Sequence, residues 1–105
     1  MKIIFEIKDI LGRKIILNSE TLEHILEKPE MSNQEERIKE TLLKPEIIKR
    51  SNYIPSVLLY YRLYGQTPVT RKYLLVAVQI TNSIGYVKTA FYTDRIKKGE
   101  TAWEK

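Results

Sequence analysis

The chain has 105 residues, 43% of them hydrophobic, and a net charge of +5. That is enough for one domain with a real core, residues 1–105, and too little for two. The absence of cysteine excludes disulfides, thiolate metal clusters and a cysteine nucleophile, and the presence of a single histidine, His24, excludes a multi-histidine metal site.

Lys2–Lys8 and Arg13–Leu17 are short alternating runs joined by Asp9-Ile10-Leu11-Gly12, the pattern of a β-hairpin with Gly12 in the turn. The charged, alternating N-terminus reads as a strand and not as a signal peptide. Asn18-Ser19 offers an N-cap for a helix over Glu20–Lys28, whose buried stripe is Leu22, Ile25 and Leu26 and which Pro29 ends. Ser32-Asn33-Gln34-Glu35 has the form of a capping box before a second helix, Asn33–Leu43. Ile38, Leu42 and Leu43 are its apolar stripe, Glu35–Lys39 a supporting pair, and Pro45 its stop. The remainder reads as β: Ile47–Arg50, Val57–Tyr64, the apolar Arg71–Thr81, a turn at Asn82–Gly85, Tyr86–Thr93, and a last turn at Lys97-Lys98-Gly99 before a tail with Trp103.

This order predicts an α+β domain in which an N-terminal hairpin and two helices pack on one face of a four-stranded antiparallel sheet, the other face being open to a ligand. Strand parity places Tyr60, Arg62 and Tyr64 on one face of their strand, Lys72 with Leu74, Val76 and Val78, and Tyr86, Lys88, Ala90 and Tyr92 opposite Val87, Thr89 and Phe91.

The charge is unevenly spread. Residues 1–48 carry eight basic and ten acidic side chains, whereas residues 49–105 carry ten basic and three acidic ones, with no acid between Lys49 and Thr93. A basic, β-rich half with tyrosines between its cations suits RNA, since cations hold phosphates and aromatic rings stack bases. No apolar run approaches the ~20 residues needed to span a bilayer, so no membrane association is expected and the cytoplasm is the default compartment. His24 lies about 100° round its helix from Ile25 and off the buried stripe. With a side chain that titrates near neutrality, it is the default general acid or base, with Glu20 one turn before it. Two-metal hydrolysis needs converging carboxylates, which the β half lacks, so no metal or cofactor is expected. RNA can still be cleaved by attack of its own 2′-hydroxyl on the adjacent phosphate, with arginine and lysine stabilising the crowded anion.

The strings HILEKPEM, IKETLLKPEIIKRS, LLYYRLY, RKYLLVAVQI and VKTAFYTDRIKKGETAW, in that order, resemble the phage-associated barnase/EndoU/colicin/RelE-like nuclease domains, over about Arg13 to Trp103. The resemblance implies a toxin-like or phage-derived endoribonuclease acting without metal on tRNA or mRNA, with an antitoxin or immunity protein as a candidate partner. It picks out His24 as a proton carrier, and Arg50, Arg62 and Lys72 as phosphate-holding or transition-state groups. Ser51 and Thr89 become hydrogen-bond donors, and Tyr61 or Tyr92 stacks a base or orients the attacking hydroxyl. Lys88 joins the RNA-binding set from the cation–tyrosine pattern. Phe91 departs from the family pattern, in which alanine-tyrosine follows the threonine directly. A non-catalytic RNA-binding module of the same fold and an assembly protein pairing through its sheet are the competing readings.

Overall fold

The computed structural model describes residues 2–69 and 72–105. Its elements are β1 (Ile3–Lys8), β2 (Lys14–Asn18), α1 (Ser19–Leu26), a 3₁₀ turn (Pro29–Met31), α2 (Glu35–Leu43), β3 (Ile47–Arg50), β4 (Val57–Tyr64), β5 (Lys72–Thr81), β6 (Ile84–Thr93) and β7 (Thr101–Glu104). The α+β class holds, but the sheet does not have four antiparallel strands. It has seven, in the order β1-β2-β6-β5-β4-β3-β7, and it is mixed.

Both additions come from non-local pairing. The hairpin joins the sheet through a parallel contact of β2 with β6, Ile15 opposite Gly85 and Ile16 opposite Tyr86. Gly85, expected in a turn, lies inside this ladder. A Cβ there would overlap the side chains of Ile15 and Val78, so glycine is what lets β2 dock. The turn itself is the two-residue pair Asn82-Ser83, both at positive φ, which matches the twist of a tight hairpin. At the other edge the tail pairs antiparallel with β3 and sets Trp103 opposite Ile48.

Asn18 caps α1 through Oδ1 to the Thr21 amide (2.9 Å). The capping box at Ser32 does not form. The Ser32 amide closes the 3₁₀ turn on the Pro29 carbonyl, Asn33 takes a positive φ, and Gln34 becomes the N-cap residue without a side-chain cap bond. The expected Glu35–Lys39 pair is replaced by Glu36–Lys39 (3.7 Å).

The helices cover one face of the sheet, α1 over β6 and β2, α2 over β5 and β4. Between them lies the main core, including Ile15, Leu17, Ile25, Ile38, Leu42, Ile48, Tyr60, Val76 and Val87. The other face is not simply open. From β6 the chain crosses β5, β4 and β3 to reach β7, and in this crossing segment (residues 94–100) Ile96 packs over a second cluster of Val57, Tyr61, Leu75 and Ala77.

Candidate functional site

Parity holds on β4 and β5 and fails on β6. Ala77 pairs with Thr89 but Val78 pairs with Val87, so β6 carries a bulge. Val87 and Ala90 are both in the helix-side core. Lys88 and Thr89 between them must therefore both face outward, and Tyr92 falls on the helix side with Arg62 and Tyr64, not with Lys88. A one-residue irregularity has exchanged the partners that alternation assigned.

The bulge gathers a band of cations and aromatic rings at one end of the helix-covered face. Arg62 pairs across β5 with Leu74, which pairs with Tyr92; Tyr64 pairs with Lys72. α2 lays Arg37 over this row, its guanidinium 4.4 Å from the centre of the Tyr64 ring and Nη1 donating to the Tyr92 hydroxyl at 3.2 Å. The Arg62 guanidinium lies 5.6 Å from the same ring. The Tyr92 hydroxyl donates to Gln34 Oε1, and Lys72 is paired with Asp94.

Glu40 sits in the middle. Its Oε1 accepts from the Tyr64 hydroxyl at 2.6 Å and lies 3.6 Å from Arg62 Nε. Burial first, and that hydrogen bond second, push the Tyr64 phenol up to about 12, so it stays protonated and donating at neutral pH. Arg62 Nη1 donates to the Lys44 carbonyl at 2.7 Å, while its Nε is buried and makes no hydrogen bond among the described residues. The band continues into a groove of about 400 Å³ whose lining includes Arg62, Lys44, Lys105 and Trp103. Five cations (Arg37, Lys44, Arg62, Lys72 and Lys105) thus share the band with two paired carboxylates, Glu40 and Asp94. A third acid, Glu46, is turned to the Leu63 amide.

Of the residues singled out in the sequence, the band brings together Arg62, Lys72 and Tyr92. His24 is elsewhere, exposed on α1, with Nδ1 3.6 Å from Glu27 and not oriented by Glu20. Arg50 lies at the far end of β3, held by Glu100 (3.2 Å) and the Pro55 carbonyl (2.7 Å). Ser51 Oγ accepts the amides of Tyr53 and Ile54 and shapes a turn. Tyr61 is fully buried beneath the crossing segment, its hydroxyl accepting the Lys97 amide at 3.0 Å. It has no open ring face on which to stack a base. Lys88 and Thr89 lie on the outer face.

Sequence reasoning missed Arg37 and Glu40. Both sit on the polar side of α2, where three-residue spacing puts them on one helix face. Only the packing of that helix over β4 and β5 says which tyrosines they meet. Among the described residues no group of three or more potential metal ligands forms, and no helix is long and apolar enough to cross a membrane. No protein-family model matches the chain, and no curated protein or solved structure matches it at a significant level.

Proposed function

We propose that this chain is a small endoribonuclease of the barnase/RelE-like kind that holds RNA on the Arg37/Arg62/Tyr64/Tyr92 band and cleaves it without metal. One observation carries this reading: a carboxylate, Glu40, is set beside Arg62, which lines a cationic groove, and beside a protonated tyrosine whose ring carries Arg37. In the proposed reaction Glu40 takes the proton of the 2′-hydroxyl, whose oxygen attacks the adjacent phosphorus. Arg37, Arg62 and Lys72 stabilise the crowded phosphorane. The 5′-oxygen leaves, taking a proton from the Tyr92 hydroxyl, and a 2′,3′-cyclic phosphate remains.

The second reading, a non-catalytic RNA-binding module, is favoured by the separation of His24, Arg50, Ser51 and Thr89 from the band. A toxin-like nuclease would also meet an antitoxin or immunity protein, for which the same cationic band is an acidic partner's natural target.

Total RNA and tRNA incubated with the protein in EDTA decide between the readings. We expect cyclic-phosphate ends, a loss of about 10²–10⁴-fold in Glu40→Gln, and full turnover in His24→Ala. Loss in His24→Ala with Glu40→Gln active would return proton transfer to His24. Salt-sensitive retardation of RNA without cleavage would leave the binding module.

A further inference from the structure

A second groove lies at the opposite end of β4 from the band. It has a volume of about 400 Å³ and is lined by Ser51, Asn52, Tyr53, Leu59, Lys97 and Lys98. Its walls are fixed. Ser51 Oγ accepts the amides of Tyr53 (3.1 Å) and Ile54 (3.2 Å), which sets the turn that carries the tyrosine. Asn52 Nδ2 donates to the Lys98 carbonyl at 3.0 Å and ties that turn to the crossing segment. The crossing segment is in turn held by the Lys97 amide on Tyr61 and by Lys49 Nζ on the Gly99 carbonyl (3.3 Å). Gly99 approaches β3 so closely that a Cβ would overlap the Arg50 carbonyl oxygen.

On this fixed frame the chemistry is unspent. Tyr53 is 89% exposed, more than any other large hydrophobic or aromatic side chain among the described residues, and its phenol makes no hydrogen bond there. Lys97 and Lys98 are exposed and make no ion pair among the described residues, whereas nearby Arg50 is neutralised by Glu100. An exposed aromatic ring on a hydrogen-bonded turn, beside two cations without an ion pair among the described residues and next to Leu59, has the parts of a subsite for one unpaired nucleotide. The ring stacks the base, and the lysines hold its phosphates.

We infer that this groove is a second RNA subsite, which rests on the reading of the band as an RNA site and extends it. A single strand long enough to pass from the band around the β3–β7 edge would engage both ends of the sheet, and a short one only the band. The second contact would add affinity by linkage, without changing the chemistry at Glu40.

The test compares binding of fluorescent single-stranded RNA of about 4 and about 16 nucleotides, the range of site sizes for one small domain. The proteins are wild type, Tyr53→Ala, Lys97→Gln/Lys98→Gln and, as a band control, Lys44→Gln/Lys105→Gln. We expect Tyr53→Ala to weaken the long RNA about five- to a hundredfold, the worth of one stacked base, and to leave the short RNA unchanged. The Lys97/Lys98 double variant should lower the salt slope for the long RNA by about 1.4, two single-strand phosphate contacts. A 4-thiouridine crosslink from the long RNA should map to the peptide holding Tyr53. Equal binding of both lengths by wild type and the groove variants, with the band variant weakened, would overturn the groove and spare the band. Failure of wild type to bind either RNA would overturn the band reading, and the groove with it.

Discussion

The two faces of the sheet are closed by different means, and adjacent tyrosines mark the difference. Tyr60 points to the helix side and donates to Asp9, a carboxylate whose side chain is fully buried at the hairpin turn. Asp9 also accepts the amides of Leu11 and Arg13, both at 2.9 Å, with the Arg13 side chain at 3.6 Å. The Ile10 amide bonds the Leu42 carbonyl, so this polar knot locks the hairpin turn onto the end of α2. Tyr61, one residue on, points to the outer face and accepts a single backbone amide from the crossing segment. One face is thus fixed by a buried charge network under two helices, the other by the packing of Ile96 and by separate, partly exposed hydrogen bonds from Lys97 to Tyr61, Asn52 to the Lys98 carbonyl and Lys49 to the Gly99 carbonyl. A knot of the first kind is costly to break, because its members have no water to turn to. A strap of the second kind rests on several separate bonds, so the loss of any one of them costs little.

Breaking the knot should have the largest effect. Asp9→Ala leaves the Tyr60 hydroxyl and two amides without their acceptor, and should cost about 3–5 kcal/mol in denaturant unfolding. A loss under 1 kcal/mol would mean the hairpin turn is held by its apolar contacts instead.

Alkali should probe both faces at once. Burial raises the phenols of Tyr60, Tyr61 and Tyr64 above the ordinary value of 10.0, Tyr64 to about 12. A folded-state value above the unfolded one favours the protonated native form. The stability these groups contribute is therefore complete below pH 10 and is lost as pH rises through the folded values, for Tyr64 between 10 and about 12. The thermal midpoint should fall over that window, and less steeply in Tyr60→Phe or Tyr64→Phe.

Tyr61→Phe removes one of the strap's hydrogen bonds and should cost about 1 kcal/mol. Its sharper signature is faster amide exchange confined to residues 94–100, with α1 and α2 unchanged. Unchanged exchange there would assign the strap to Ile96 and to the Asn52 and Lys49 hydrogen bonds. Smallest of all, His24→Ala removes an exposed side chain and should shift stability by less than about 0.5 kcal/mol.

Much of the fold was legible locally. Alternation marked β1 and β2, branched and aromatic residues marked β4, the i, i+3, i+4 stripe marked α1, and Pro29 and Pro45 marked the breaks after the helices. The faces of β4 and β5 each followed from parity, Arg62 with Tyr64 and Lys72 with Leu74, but only the pairing of the two strands put these sets on one side. The site was legible only in part. Arg62, Lys72 and Tyr92 do come together, but for Tyr92 the face assigned by alternation depended on an intact β6, and the bulge at Lys88-Thr89 exchanged it. Tyr61 looked like a stacking residue because a tyrosine's ring is visible in sequence while the strap that covers it is not. Tyr53, in a loop without periodicity, carried no signal beyond being aromatic.

Composition, charge and periodicity determined by themselves the α+β class and its basic β-rich half, because hydrophobic spacing and turn chemistry act over a few residues. The tertiary structure alone decided the seven-strand order, the parallel docking of β2 on β6 at Gly85, the pairing of the Trp103 tail with β3, and the meeting of Glu40 with Arg62 and Tyr64. Each of these joins segments distant in the chain, whose contacts are set by which surfaces can be buried together and not by any local pattern.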